Sequence, residues 1–339
     1  MIVIMRSFSQ GLLGLALLVF QATSVLAFQG APIPTKAKTA YLDASSGGAD
    51  FTVQGEYVGR REGHGRLGAQ VVAEGDGRFV IQFLYGGLPG EGWDGKTKSK
   101  SVAKTMEERT IIDGGGWSGL IADGSLRGHD RDGSPFTLQR VVRTSPTEGL
   151  VPPPEAIVLF DGKDLAEWTN ASMSEDHLLN VGTFTKRGFR DFTLHAEFRT
   201  PFMPFARGQG RGNSGFYLLR LYEVQVLDSF GLEGKANECG ALYTKAAPNI
   251  HICYPPLSWQ TYDITFRAPR FDTDGNKLDN AVITVRHNGI LIHDEVVLRE
   301  STHKGYVEKD QLAPILLQNH GTPVQFRNIW LTVPKDDDR

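Results

Sequence analysis

Glu223 and Gln225 stand two residues apart in the segment NSGFYLLRLYEVQVLD, residues 213–228, as do Asn213, Gly215 and Tyr217 in its first half. Side chains two apart share a face of a strand, so Glu223 and Gln225 point one way while Val224 and Val226 point the other, toward a core. A sheet face bearing a carboxylate, amides and an aromatic ring suits a polar ligand. Carbohydrate is the natural candidate, because rings pack on the apolar sides of a pyranose and amides bond its hydroxyls. The plainer alternative is a solvated outer face. Tyr243, Trp259 and Gln318 extend the set of sugar contacts, with Trp259 equally suited to a core. Arg220 and Arg327 could supply positive charge, although Arg220 by alternation lies opposite Tyr217 and equally fits a structural ion pair.

Positioning these residues takes adjacent strands with a core beneath them. Phe192–Arg199, Ser214–Leu221, Glu223–Leu227, Thr261–Arg267 and Val282–Arg286 all read as strands, which predicts an all-β sandwich from residue 156 to about 335. Asn288-Gly289, between ITVR and ILIH, supplies the positive φ angles of a two-residue hairpin. DTDGN, residues 272–276, superficially resembles a calcium loop, but Gly275 is misplaced and no Glu closes it, so it reads as a turn. Upstream, residues 40–145 are Gly-rich with short alternating segments (Gln70–Val72, Arg78–Tyr85, Phe136–Val142) and no long amphipathic helix, which predicts a small β domain of unknown role. His64 and His129 read as loop histidines. The Pro-rich run 146–155 reads as a semi-rigid linker between the two.

The 339 residues and a net charge of −3 fit two ordinary domains and no particular charged partner. The one lysine-rich patch, Lys96 to Lys104, reads as a solvated loop, so no nucleic-acid surface is expected. Arg6, the apolar run Leu12–Phe20 and Val25-Leu26-Ala27 read as a signal peptide over residues 1–27, with export to the periplasm or the cell exterior. A simple N-terminal anchor is the alternative, and no transmembrane segment follows. Cys239 and Cys253, the only cysteines, are candidates for one disulfide in an oxidising compartment.

Several blocks together resemble the 3-keto-disaccharide hydrolase domain family, also described as 3-keto-α-glucoside-1,2-lyase/3-keto-2-hydroxyglucal hydratase. They are LFDGKDLAEWT (159–169), EFRT (197–200), NSGFYLL (213–219), YEVQVLDSFG (222–231), NECGALY (237–243), WQTYDITFRAPRFD (259–272), VRHNGILIHD (285–294) and LLQNHGTPVQFRNIWL (316–331). The resemblance implies a concanavalin-A-like jelly roll with a sugar-binding concave face, and a bacterial source. The sequence departs from the family pattern at Leu219, where relatives often carry Arg or Gln, and at Asn319, where they carry Asp.

The family's reaction needs a base for the C2 proton, donors or a metal at the C3 oxygen, and an acid for the leaving group. Glu223 is the first candidate for base or acid, with a purely hydroxyl-accepting carboxylate as the alternative. Asp228 faces away from it by strict alternation and joins the site only through a bulge or the following loop. His320 suits a proton shuttle, an enolate donor or a metal ligand. A divalent metal stays open, since Glu223, Asp228 and His320 are hard or borderline ligands, but no spacing motif demands one; no nucleotide cofactor is expected. The expected activity is cleavage of 3-keto-glycosides by elimination and hydration, with a sugar 3-dehydrogenase as the functional link. The rivals are a non-catalytic carbohydrate-binding module and a conventional glycoside hydrolase.

Overall fold

A computed structural model describes residues 35–303 and 305–335. The leader read over residues 1–27 lies outside the described residues. The chain is all-β and antiparallel, a small barrel followed by a jelly-roll sandwich.

Eight strands close the barrel in chain order: β1 (Gly55–Arg61), β2 (Gly65–Gly75), β3 (Arg78–Tyr85), β4 (Lys98–Met106), β5 (Arg109–Gly114), β6 (Trp117–Ala122), β7 (Ser125–His129) and β8 (Pro135–Val141). Because β1 pairs with both β2 and β8, no sheet edge is left open. Tyr57, Leu67, Phe79, Ile81, Phe83, Phe136 and Leu138 fill the interior, with Phe83 stacked on Trp117 at 3.7 Å between ring centroids. A barrel of this size is just wide enough for its own side chains, so this one is a packed core. The lysine-rich patch is largely strand rather than loop: on β4, buried Ser101 and Ala103 alternate with exposed Lys100, Val102 and Lys104. Serine and alanine signal a strand weakly, which hides that alternation. His64 is exposed in the β1–β2 turn, whereas His129 is the exposed last residue of β7, paired with Ser118 and Pro135, rather than a loop histidine.

From Ile157 the chain builds two facing sheets. The back sheet holds β9 (Ile157–Phe160), β11 (Leu179–Asn180), β13 (Phe192–Arg199), β16 (Gln260–Arg267), β19 (Ala281–His287), β20 (Ile290–Leu298) and β22 (Gln325–Thr332). The front sheet runs in the order β10 (Trp168–Thr169), β12 (Thr183–Thr185), β21 (Leu316–Leu317), β14 (Ser214–Leu218), β15 (Tyr222–Val226). A small hairpin, β17 (Arg270–Phe271) and β18 (Lys277–Asp279), surrounds the DTDGN turn, which Asp272 closes by accepting the backbone N–H groups of Asp274 and Asn276. Phe216 of the front sheet packs on Tyr262 and Phe326 of the back sheet at 5.9 and 5.4 Å between centroids, in the middle of the shared core.

Two hairpins fix the register. Asn288 and Gly289 take φ of 49° and 75° and close β19 onto β20 with His287 opposite Ile290. Between β14 and β15, Leu219 and Arg220 adopt φ of 52° and 58°, the same primed turn built from residues that pay for the left-handed conformation. That turn sets Tyr217 opposite Glu223 and Gly215 opposite Gln225. It also removes Leu219 from the row of Asn213 and Tyr217, where strict alternation would put it: Leu219 is buried in the core.

The first part of the Pro-rich run, to Leu150, lies along the outer face of the back sheet. Thr147 bonds Asp263 and Thr261, the Gly149 N–H donates to Glu197, and Leu150 O accepts from Asn328 and Trp330.

Candidate active site

Strands β14 and β15 are buried on both faces. One face is the apolar core. The other carries Tyr217, Glu223 and Gln225, and is covered by segments around Gln209, Tyr243 and His303. A polar row roofed by loops, rather than wetted by bulk water, separates a site from an ordinary outer face.

His303 is the residue that sequence reasoning missed. Its Nε2 lies 2.5 Å from the Tyr217 hydroxyl and 3.0 Å from Glu223 Oε2. Its ring stacks between Tyr217 and Tyr243 at centroid distances of 5.1 and 5.8 Å. The Tyr217 hydroxyl also accepts a bond from Gln318 Nε2 at 3.0 Å. Ser301 and Thr302 place His303 by donating their hydroxyls to Leu221 O, while Thr302 Oγ1 accepts the Glu223 N–H at 2.9 Å. Nothing in the segment STHKGYVE has strand period, so its only sequence signal is a histidine after two hydroxyl residues.

Burial pushes the Glu223 carboxyl above its ordinary range, and hydrogen bonds from Tyr217 and His303 offset only part of that. Burial, with the Glu223 charge beside it, also raises the Tyr217 phenol, which therefore stays protonated as a donor. Gly215 leaves the floor beside the carboxylate bare: a Cβ there would come within 2.5 Å of Glu223 Oε1.

At the other end of the row the amide orientations follow from two backbone carbonyls, which can only accept. Gln209 Nε2 donates to Asn237 O at 2.7 Å, which turns Gln209 Oε1 toward Asn213 and Gln225. Asn213 Nδ2 donates to Gln209 O and Oε1, and Gln225 Nε2 donates to Gln209 Oε1. Asn213 Oδ1, Gln225 Oε1 and Gln318 Oε1 are left buried without a partner among the described residues. Unpaired buried acceptors are rare and mark places where a donor is expected to arrive. The barrel steadies this end: Arg207 donates to Glu74 O and Arg211 to Ala73 O, both on β2.

The structure therefore brings Asn213, Tyr217, Glu223, Gln225, Tyr243 and Gln318 together. His320 is exposed at the rim and meets Glu223 through its electrostatic field. Other candidates lie elsewhere. Asp228 points off the β15 face of Glu223 into a buried ion pair with Arg211, 2.6 Å from Oδ2 to Nε. Arg220 is exposed on the hairpin turn, its guanidinium 5.3 Å from the centre of the Phe184 ring. Trp259 and Arg327 belong to the back sheet side, with Arg327 stacked 3.9 Å from the Trp259 ring centre. Cys239 and Cys253 are buried free thiols rather than a disulfide, Cys239 Sγ lying 3.3 Å from the Tyr262 hydroxyl and Cys253 Sγ donating to Leu227 O. Among the described residues no group of three or more His, Cys, Asp or Glu side chains could hold a metal ion, and the Asp228–Arg211 pair splits the ligand set drawn from the sequence.

A second ionisable cluster sits on the outer face of the back sheet. Fully buried Glu197 accepts from Gly149 N, Asn328 Nδ2 and Arg327 Nε at 2.6–2.8 Å. His195 lies 2.7 Å from Asp263 through Nδ1 and 3.7 Å from Glu197 through Nε2. Burial alone would raise the Glu197 carboxyl, but the bonds from His195, Asn328, Gly149 and Arg327 bring it down to about 2. Burial pulls the His195 imidazole down, and Asp263 and Glu197 more than reverse this.

The profile of the 3-keto-alpha-glucoside-1,2-lyase-like domain matches residues 155–332, over half of the chain. A crystal structure from Parabacteroides distasonis, described as that of a candidate glycosyl hydrolase, is 33% identical over 54% of this chain and 85% of its own, with a TM-score of 0.49. A second so described from the same organism is 18% identical, covering 56% of this chain and 97% of its own, with a TM-score of 0.37. No curated protein matches. The chain belongs to the family of 3-keto-alpha-glucoside-1,2-lyase-like domains, on the strength of that profile.

Proposed function

We propose that the front-sheet site cleaves 3-keto-glycosides by elimination followed by hydration. The observation that carries this reading is His303 Nε2 held between a protonated phenol and a buried carboxyl beside the bare floor of Gly215. The C3 ketone acidifies the C2 proton, which His303 accepts at Nε2 in the neutral tautomer that carries its hydrogen on Nδ1. Tyr217 donates to the enolate oxygen, and Glu223, whose carboxyl burial pushes above its ordinary range, supplies the proton for the departing C1 oxygen. Water then adds across the resulting enone, OH to C1 and H to C2. Asn213, Gln225 and Gln318 offer acceptors for the sugar hydroxyls.

A conventional hydrolase needs a second carboxylate about 5 to 10 Å from the first. Asp228, the neighbouring acid of the same segment, is committed to Arg211. A binding module is favoured by the unpaired amide oxygens alone and leaves the Tyr217–His303–Glu223 contacts unused. In this reading the protein is exported, and its substrate comes from an enzyme that oxidises a sugar C3 hydroxyl to a ketone.

The test is incubation of a 3-keto-glucoside and its unoxidised parent in deuterated water with the wild type, Glu223→Gln and His303→Ala. Turnover of the keto form alone, with deuterium at C2 and a loss of about 10²- to 10⁴-fold in the variants, is the expected result. Cleavage of the unoxidised glycoside, or full activity of His303→Ala, overturns the reading.

A further inference from the structure

We propose that Lys277, on the small β17–β18 hairpin, is a positioning residue for His303; this rests on the site reading above. Its ammonium touches both ends of the segment that carries the histidine. Lys277 Nζ donates to Arg299 O at 2.7 Å and to Glu308 Oε2 at 2.5 Å, while the buried Tyr222 hydroxyl donates to Glu308 Oε1. One cation thus joins the backbone four residues before His303 to a carboxylate five residues after it. Tyr222 is the first residue of β15 and precedes Glu223, so the clamp refers the histidine's segment to the strand that carries its partner.

The alternative anchors are local. Ser301 and Thr302 fix the entry of the segment to Leu221 O, and the His303 ring is held by Tyr217 and Glu223 at Nε2 and by ring contacts with Tyr217, Tyr243 and Tyr306. Tyr306 and Val307 are exposed, so little apolar burial holds the exit of the segment, and the ionic clamp does that work instead. Lys277 itself is far from sugar chemistry in role: its charge is spent on Glu308, and loss of it lets Glu308 drift and the histidine follow. Displacement of a reacting group by about an ångström is enough to cost roughly 100-fold in rate.

Lys277→Met and Glu308→Gln are compared with Lys277→Arg in the full chain. The variants should lower kcat by about 10- to 100-fold with KM for a 3-keto-glucoside nearly unchanged, since Asn213 and Gln225 are untouched, and Lys277→Arg should recover most of the loss. Nitrogen NMR of the His303 imidazole reads the same effect without turnover: its Nε2 resonance should move in Lys277→Met and return in Lys277→Arg. An unchanged His303 resonance in a folded Lys277→Met protein overturns the proposal. If the wild type turns over no keto sugar but the resonance moves as stated, the clamp stands and the lyase reading falls. If turnover is present and the resonance and kcat are both unmoved, the clamp alone falls.

Discussion

Two histidines of this sandwich each sit beside a buried glutamate, and the two sites have opposite electrostatics. On the back sheet, Glu197 is saturated by Gly149, Asn328 and Arg327 and its carboxyl falls to about 2. On the front sheet, burial outweighs Tyr217, His303 and the field of His320 at Glu223, and its carboxyl rises. The back cluster is capped by the chain's own linker, whereas the front row ends in amide oxygens with no partner among the described residues. A buried charge with every bond made holds a fold together. One left short of partners holds a proton that chemistry can use.

Glu197→Ala tests that contrast most severely. It takes the shared carboxylate away from Arg327, Asn328, Gly149 and His195, leaving Arg327 with Glu148 and His195 with Asp263, and should cost about 3 kcal/mol in chemical denaturation. Activity per folded molecule should survive, and a variant that is fully stable but inactive would reverse the assignment of the two clusters.

The acid limb of stability comes next. A carboxyl held at about 2 in the folded protein, against an ordinary 4.5, contributes stability above that ordinary value. That contribution is lost as pH falls from 4.5 toward 2 and amounts to roughly 3 kcal/mol. Melting curves of the wild type and Glu197→Gln should converge over that window. Glu223 has the other sign: its raised carboxyl favours the folded state at low pH and loses that advantage as pH rises, so Glu223→Gln should be no less stable than the wild type near neutrality.

Gly215→Ala sharpens the comparison inside the front site. The added Cβ meets the Glu223 carboxylate, and turnover should fall by about 10-fold or more, with Gly215→Ser worse. The smallest effect is expected at the hairpin turn, where Arg220→Gly relieves a left-handed residue and should stabilise by about 1 kcal/mol in thermal melts, with kinetics unchanged.

Strand positions were the legible part of this molecule. The runs read at Phe192–Arg199, Glu223–Leu227 and Thr261–Arg267 lie within a residue of β13, β15 and β16, because alternation over a buried core is a local signal. Barrel closure was not legible, since pairing β1 with β8 joins residues far apart in sequence. In the site, the Glu223 and Gln225 face could be read from spacing, and so could the outward turn of Asp228. Arg327 and Trp259 could not be assigned to the back sheet, because spacing says which face a residue takes but not which sheet its strand enters. His303 escaped for a related reason: a loop has no period, and its histidine acquires a role only through the bonds of Ser301 and Thr302 to Leu221.

The Pro-rich run between barrel and sandwich has the composition of a place where proteases cut. Its first half is instead engaged, with Thr147, Gly149 and Leu150 bonded to Asp263, Glu197, Asn328 and Trp330, so that half lacks the freedom to bend into a protease cleft. The barrel is thereby carried as an integral part of the folded chain, and digestion should begin elsewhere.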